Sequence, residues 1–408
     1  MTKKRHFFLI LLLGSLTALG PFSIDMYLPG FPAIAKDLHT TVAKVSLSLS
    51  GFFIGISVGQ LLYGPLLDRF GRKKPLYIGL VVYIIASLGC AYATSINALI
   101  VLRCIQAIGS CAAAVASVAM VRDLFPVSEN AKVFALLMLV VGVSPMIAPT
   151  VGGYVTTAYG WHSVFLVLML LGLVNLLASI FGLPESYKPD KSISLKPRPI
   201  LKNFLVVITE PQFYTYALTG AVAFSGLFAY VAGSPLLFMD IFAVKEETYG
   251  WIFAFLSIGL IGSSQVNTLL LRKYSSEQLI FAALICQALT GIVFFTGSFN
   301  GWFGLPVTIF LLFIFLSCLG IANPNTSALS LAPFSKNGGS ASALMGAIQM
   351  GMGTLASIGV SLFDTRSSLP MVAIMASTSL IALTILYFGR KRIKNKVEAG
   401  TDGAVAFH

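Results

Sequence analysis

The chain has 408 residues, of which 57% are hydrophobic and only 10% are charged, and its formal net charge is +12 at pH 7. Charged residues are too scarce to cover a soluble domain of this size, which excludes a soluble enzyme or binding module. The excess of basic residues would suit nucleic acid, but these residues alternate with apolar runs in a way that nucleic-acid binding does not require. Composition therefore indicates an integral membrane protein.

Apolar runs of about 20 residues, the length that crosses the core of a bilayer, recur along the whole chain. Twelve of them cover approximately residues 7–29, 43–66, 75–94, 97–121, 132–156, 161–183, 211–236, 248–271, 277–298, 303–328, 339–363 and 370–389. The sequence therefore predicts an all-α integral membrane protein with twelve transmembrane helices in two pseudo-symmetric six-helix bundles.

The only long polar segment divides these runs into six and six. We expect an N-terminal bundle at residues 1–183, a cytoplasmic linker at 184–210, a C-terminal bundle at 211–390 and a cytoplasmic tail at 391–408. Within the linker, residues 200–208 are expected to form a short amphipathic helix in the headgroup region, in contact with membrane lipid.

Most of the 27 lysines and arginines lie in the N-terminus, in every second loop and in the C-terminal tail. Cytoplasmic loops of membrane proteins carry this excess of positive charge. The exceptions are Lys36, Lys44, Lys245 and Arg366 on the other side, and Arg103 inside a run. Both termini are therefore predicted to be cytoplasmic.

Residues 22–29 close the first run with a single carboxylate, that of Asp25. A charge near hydrocarbon costs roughly 2.5 to 3.5 kcal/mol on insertion scales, so an acid there predicts a function and needs a partner. Arg103 and Gln106, one turn apart in the fourth run, lie at a similar predicted depth. We expect Asp25 to pair with Arg103, directly or through Gln106, and to carry protons. A static ion pair that only fixes helix packing is the alternative.

A tight basic turn joins the second and third runs. It contains Gly64, Asp68, Arg69, Gly71 and Arg72. Glycine readily adopts the backbone conformations that a turn requires. Asp68, the one acid among these cations, could hold a basic side chain in one conformation. Asp123, at the end of the fourth run, is expected opposite Asp68 and Arg72 if the helices are neighbours. An ordinary solvated loop fits the charges equally well.

Small and helix-breaking residues mark two of the runs. The second run places Gly51, Gly55 and Gly59 at every fourth position, a stripe that permits close helix packing. The fifth run contains Pro145, Pro149, Gly152 and Gly153. Such residues predict a kinked helix that bends or seals against a neighbour, with pure packing as the alternative.

The second half offers aromatic and amide groups rather than deep charges. Candidate substrate-cavity residues from both halves are Phe22, Tyr27, Met138, Phe224, Phe228, Tyr230, Asn323 and Gln349. Aromatic and polarizable side chains can line a tolerant pocket for apolar molecules. A position facing lipid or the protein core is the alternative for each of them.

No metal-ligand spacing or phosphate-binding glycine loop is present, and the four histidines are scattered at membrane edges and tails. A membrane-embedded enzyme would need clustered catalytic groups, and no second acid accompanies Asp25 inside a run. We therefore expect neither an enzyme nor a metal site, and no cofactor other than a coupling proton.

Several of these motifs resemble those of the major facilitator superfamily, and within it the drug:proton antiporters of the bicyclomycin-resistance/CflA group. The turn at Gly64–Lys73 is similar to the family's loop motif, and Arg103 with Gln106 to its span-four motif. The stretch from Ala148 to Gly153 is similar to the antiporter motif, and Ser23 to Pro29 to the subgroup signature.

The resemblance implies two six-helix halves, alternating access and export of drugs or other small amphipathic compounds in exchange for protons. It implies that Asp68, Arg72 and Asp123 form a cytoplasmic lock on the outward-facing state. It also implies a bacterial inner membrane location, and a monomer is expected.

The sequence departs from the family pattern at some positions. Ala148 and Ser144 stand where the antiporter motif prefers glycine, and Thr17 stands where some multidrug relatives carry a second acid. Coupling would then rest on Asp25 alone. The rival hypothesis is a facilitator, importer or exporter of a specific metabolite without proton antiport, in which Asp25 and Arg103 bind the substrate.

Overall fold

A computed structural model describes residues 3–190, 204–334, 338–363, 367–393 and 397. Every regular element in these ranges is helical. Helices satisfy their backbone hydrogen bonds internally, which is what a bilayer requires of a spanning segment.

The first half of the chain forms seven α-helices. They are α1 (Lys3–Asp25), α2 (Phe31–Asp37), α3 (Val42–Phe70), α4 (Lys73–Ala91), α5 (Ile96–Leu124), α6 (Val127–Tyr159) and α7 (Trp161–Gly182). A short 3₁₀ turn at Leu28–Gly30 separates α1 from α2. The hydroxyls of Thr41 and Ser95 accept backbone N–H groups at the starts of α3 and α5, as N-cap residues do.

In the described part of the second half, six longer helices follow. They are α8 (Pro211–Pro235), α9 (Glu246–Leu270), α10 (Ser276–Phe299), α11 (Leu305–Leu331), α12 (Gly338–Ser361) and α13 (Leu369–Gly389). A π-helical stretch, Leu236–Ile241, continues α8, and Ser275 with Gln278 forms a capping box at the start of α10. Residues 204–208 are helical, as predicted for the linker, and residues 200–203 lie outside the described ranges.

Twelve helical segments are long and apolar enough to cross a membrane, from Arg5–Asp37 to Leu369–Arg392. The predicted fold class is confirmed. Several helices are longer than the apolar runs that predicted them. For example, α6 covers Val127–Tyr159, whereas the run covered 132–156, because a helix can continue beyond the hydrocarbon core into the polar headgroup region.

Internal contacts divide the chain into two units. The first comprises Met1–Lys196 together with Lys245–Phe253, and the second comprises Pro197–Val244 together with Ala254–His408. The first turns of α9 thus belong with the first unit, although the sequence placed this whole helix in the C-terminal bundle. In addition, residues 184–190 of the predicted linker pack on the first unit.

The glycine stripe of α3 packs against α5. A Cβ atom built on Gly55 would overlap the Cys104 carbonyl oxygen and the Ala107 side chain, and one on Gly51 would lie 2.9 Å from the Ile100 carbonyl oxygen. The close approach that the stripe predicts is therefore present, and it brings the two backbones near enough for side chains of α5 to reach α3.

Replacing Gly55 with alanine should lower the thermal unfolding midpoint of the detergent-solubilised protein, because the added methyl group would push α3 away from the α5 backbone. We expect a cost of about 1 to 3 kcal/mol, typical of overpacking. Gly20→Ala in α1 is the control, since a Cβ there meets no atom within 4 Å. Equal midpoints for the two variants would contradict this packing.

Candidate functional site

Arg103 lies on α5 at the centre of the first unit, and its side chain is completely buried. Its Nη2 donates to the Ser23 carbonyl oxygen at 2.7 Å, and its Nη1 donates to the side-chain oxygen of Gln106. The guanidinium carbon lies 4.2 Å from the ring centres of both Tyr27 and Phe52. A carbonyl, an amide and two aromatic faces thus surround the positive charge.

The end of α1 makes the Ser23 carbonyl available. The last four carbonyls of an α-helix have no partner within the helix. The Met26 N–H closes the final turn onto the Phe22 carbonyl at 3.0 Å, and Arg103 takes the next carbonyl. Arg103 therefore places its charge at the negative end of the α1 dipole, where a cation is stabilised.

Asp25 is the last residue of α1, and only 5% of its surface is exposed. Among the described residues its side chain makes neither a hydrogen bond nor an ion pair, so the expected pair with Arg103, direct or through Gln106, is absent from this structure. The reason is geometric: Arg103 bonds the backbone two residues before Asp25 and stacks on rings instead. Arg103 thus bonds the end of α1 without pairing with Asp25.

A chain of hydroxyl groups joins α5, α4 and α1. Gln106 donates to the Ser87 hydroxyl at 2.7 Å, which donates to the Tyr83 carbonyl at 2.7 Å. The Tyr83 and Ser23 hydroxyls lie 2.8 Å apart, and Ser23 donates onward to the Leu19 carbonyl. Sequence reasoning missed Tyr83 and Ser87, because lone hydroxyls in apolar runs give no signal until the neighbouring helices are known.

The proline- and glycine-containing part of α6 packs by backbone contact on both sides. A Cβ built on Gly152 would overlap the carbonyl of Met26, the residue after Asp25. A Cβ on Gly153 would lie 2.8 Å from the carbonyl oxygen of Glu246, at the start of α9. Gly250 of α9 approaches α6 in return, since its Cβ would lie 3.0 Å from the Pro149 carbonyl oxygen. Pro145 and Pro149 both lie inside one continuous helix.

At the predicted cytoplasmic end, Arg72 bridges two carboxylates. Its Nη1 lies 2.6 Å from Asp68 Oδ1, and its Nε lies 2.8 Å from Asp123 Oδ2. Burial alone would lower the pKa of Arg72, but the two carboxylates outweigh this effect and hold that pKa above its ordinary value. Gly71 adopts a positive φ of 83°, a left-handed conformation that favours glycine.

The remaining residues of the loop motif are Arg69 and Gly64. The Arg69 guanidinium lies 5.8 Å from the ring centre of Phe70, and a Cβ on Gly64 would meet no atom within 4 Å. We call Asp68, Arg72 and Asp123 the cytoplasmic cluster. The structure brings together the three residues that sequence reasoning grouped, while their role as a lock stays a prediction.

The candidate cavity residues fall into different surroundings. Tyr27 contacts Arg103, and Tyr230 is buried in the second unit. Met138 is 55% exposed and Phe22 is partly buried. Phe224 and Phe228 stack edge to face, 5.6 Å apart.

Asn323 and Gln349 share a cleft in the second unit. The cleft is lined by Tyr216, Ala217, Gly220, Ala221, Asn323, Thr326, Ser327, Met345 and Gln349. Gln349 donates to the Asn323 side-chain oxygen at 3.1 Å, and the buried Tyr216 hydroxyl has no partner among the described residues. No charged side chain lines this cleft.

A buried arginine and an unpaired carboxylate inside a bundle of membrane-length helices are typical of membrane transport proteins. Within the described ranges, no group of three or more His, Cys, Asp or Glu residues could hold a metal ion. Fold and site together thus define a multi-pass membrane transporter.

The chain belongs to the Major Facilitator Superfamily, whose family model matches residues 13–360. Members of this family are transporters, so the protein is not an enzyme. The sequence-based identification of the family is confirmed.

Similar proteins with sequences of nearly the same length include several transporters. The chain is 34% identical to the uncharacterized MFS-type transporter YdgK of Bacillus subtilis (strain 168), with 95% of this chain and 96% of the relative covered. It is 30% identical to the bicyclomycin resistance protein homolog of Haemophilus influenzae, with 95% and 97% covered. It is 27% identical to the multidrug resistance protein MdtL of Escherichia coli O139:H28, with 92% and 93% covered.

Solved structures of the same fold include a D-xylose-proton symporter, with a TM-score of 0.75 and 13% identity over 97% of this chain and 99% of that one. A bacterial homolog of the human lysosomal transporter Spinster gives a TM-score of 0.73 at 13% identity, with 96% and 98% covered. At these identities the likeness shows the fold alone.

Replacing Arg103 with lysine should destabilise the protein more than replacing it with methionine. Lysine keeps the charge but lacks the planar guanidinium, which bonds Ser23 and Gln106 and stacks on two rings at the same time. The lysine charge would therefore be buried without compensation, which costs several kcal/mol. Thermal unfolding in detergent measures the order, with Arg5→Lys at an exposed position as the control. A lysine variant as stable as the wild type would show that the guanidinium geometry is not needed.

Proposed function

We propose that this chain exports small amphipathic compounds, including drugs, from the cytoplasm in exchange for protons, by alternating access. The observation that carries the proposal is Asp25, a nearly buried carboxylate whose side chain has no partner among the described residues. It lies two residues beyond the carbonyl that the fully buried Arg103 binds. The relatives named for bicyclomycin and multidrug resistance support the substrate class.

Asp25 is the proposed proton carrier. Protonation removes its charge, and ionisation creates an attraction to Arg103, which bonds the α1 backbone two residues before Asp25. The Nε of Arg103 is buried and has no hydrogen-bond partner among the described residues. This donor is the group that an ionised Asp25 would bind in a second conformation, whereas a protonated Asp25 leaves Arg103 on the Ser23 carbonyl. A proton would thereby decide which contact Arg103 makes with the end of α1.

Helix α6 would transmit this change. Its Gly152 touches the backbone of Met26, next to Asp25, and its Gly153 touches the backbone of Glu246 in α9. Thr157, one turn further along α6, also donates to the Glu246 carboxylate at 3.0 Å. A shift at the end of α1 must therefore move α6 or break its packing, and a contact of this kind can open and close during alternating access. The cytoplasmic cluster would lock the other end.

The cleft beside Asn323 and Gln349 is the proposed place of substrate contact in the second unit. Its lining offers hydroxyl and amide groups with the soft side chain of Met345 but no charge. An uncharged part of the substrate, carrying a hydroxyl or amide group, matches such a lining better than an ionised group does.

The proposed setting is the inner membrane of a bacterium, with both termini in the cytoplasm. The excess of basic residues in alternate loops and at both termini supports this orientation. The protein is proposed to act as a monomer, without nucleic acid or a resident cofactor, and with the proton as coupling ion.

Asp25→Asn should abolish substrate-driven proton movement in inside-out vesicles, because asparagine cannot carry a proton. Wild-type vesicles are expected to lose their proton gradient on addition of at least one compound from a panel of chloramphenicol-like, cationic and sulfonamide compounds. Asp37→Asn is the matched control, since its amide oxygen can still accept from the Trp161 indole.

Two results would contradict proton antiport through Asp25. One is a compound that collapses the gradient equally in wild type and in Asp25→Asn. The other is a wild type in which no compound moves protons while a labelled solute equilibrates without a gradient, which would identify a facilitator.

Gln349→Leu should raise the KM of uncharged, amide-bearing compounds about tenfold, the factor that loss of one ordinary hydrogen bond gives, with little change in kcat. Gln265→Leu, at an exposed position of α9, serves as the control. An unchanged KM for every transported compound would exclude the cleft as a substrate contact.

A further inference from the structure

Residues 184–190, which follow α7, fold back onto the cytoplasmic cluster. We call this segment the clasp. The Glu185 carboxylate accepts the backbone N–H of Arg72 at 2.8 Å and that of Lys73 at 3.3 Å. Sequence reasoning assigned these residues to a linker and gave Glu185 no role.

Glu185 caps the start of α4. The first N–H groups of a helix have no partner within it, and Arg72, the N-cap residue of α4, supplies no side-chain cap of its own. A carboxylate that accepts two such groups is stabilised by charge and by the helix dipole. The same carboxylate lies 3.1 Å from the place where a Cβ on Gly71 would be, so a side chain there would crowd it.

The rest of the clasp reaches each member of the cluster. The Ser186 hydroxyl donates at 2.9 Å to Asp123 Oδ2, the oxygen that also accepts from Arg72. The Tyr187 ring centre lies 4.3 Å from the Arg72 guanidinium carbon. The Asp190 N–H donates to the Asp68 carbonyl at 3.2 Å. The clasp therefore bonds the backbone of Arg72, covers the guanidinium of Arg72 with an aromatic ring, and bonds both acidic residues that pair with Arg72.

We infer that the clasp positions the cytoplasmic cluster, with Glu185 as its principal positioning residue. Arg72 meets both carboxylates only while the start of α4 is fixed, and Glu185 fixes it. Tyr187 covers the guanidinium and keeps water from competing for its hydrogen bonds.

Hydrogen–deuterium exchange of the full chain in lipid nanodiscs tests this inference without a known substrate, so its result is independent of the proposed transport function. The variants are Glu185→Ala, Arg72→Ala and the double variant, with Glu185→Gln as the conservative replacement. Lys188→Ala is the matched control, because Lys188 is an exposed side chain of the same segment.

The expected result is that Glu185→Ala speeds exchange about tenfold, the effect of losing one ordinary hydrogen bond, both at residues 72–74 and at residues 118–124, the end of α5 that carries Asp123. Arg72→Ala should do the same at residues 118–124, and the double variant should add nothing further there. Glu185→Gln should restore part of the protection, and Lys188→Ala should match the wild type.

Faster exchange confined to residues 72–74, or additive effects of the two replacements at residues 118–124, would overturn the inference and leave Glu185 as a local helix cap. Peptides from α10 to α13 report whether a variant is folded. If Glu185→Ala loses protection there as well, Tyr187→Leu takes its place, because this variant keeps the Glu185 bonds. Faster exchange than in the wild type at residues 118–124 would then support the inference, and unchanged exchange there would overturn it.

Discussion

The buried charge of Arg103 is the constraint on which the first unit depends. A guanidinium in the hydrocarbon part of a membrane needs compensation, and here dipoles supply it rather than a counter-ion. They are the free carbonyl at the end of α1, the Gln106 amide and the faces of Tyr27 and Phe52. These groups come from three helices, so the compensation exists only while the helices are closely packed. The glycine stripe of α3 and the hydroxyl chain through Ser87 provide that packing.

Because carbonyl, amide and aromatic groups compensate Arg103, the structure does not use Asp25 as its counter-ion. An ion pair would bind the two residues in one arrangement, and removal of one charge would strand the other. In the structure, Arg103 bonds the Ser23 carbonyl near the end of α1, and Asp25 lies two residues beyond this carbonyl. Gly152 connects this turn with α6, whose other glycine contacts the first turn of α9. In the proposed mechanism, a change of charge at Asp25 would therefore act on a turn whose backbone packs against α6.

The sequence predicted the helices well and their contacts only in part. The twelve apolar runs correspond to twelve membrane-length helical segments in the described residues. The agreement arises because hydropathy and length decide whether a segment spans a membrane. Arg72 meets both acids grouped with it, because these acids lie at the ends of helices that the pattern of basic residues predicted to share one side of the membrane. The expected pair of Asp25 and Arg103 is absent from this structure, because depth places two residues at the same level but does not say which atom faces which. Glu185 was missed for a related reason: its partners are backbone N–H groups, which no side-chain pattern reveals.

The surroundings of Arg103 also bear on how the protein enters the membrane. Helix α5 carries a charge that costs roughly 2.5 to 3.5 kcal/mol to insert alone. Three of the groups that compensate it, Ser23 and Tyr27 near the end of α1 and Phe52 on α3, precede α5 in the chain. A fourth, the Phe165 ring 5.8 Å from the guanidinium carbon, follows it on α7. Synthesis from the N-terminus therefore delivers most of the binding site for the guanidinium before the guanidinium itself, and α7 adds the last ring afterwards.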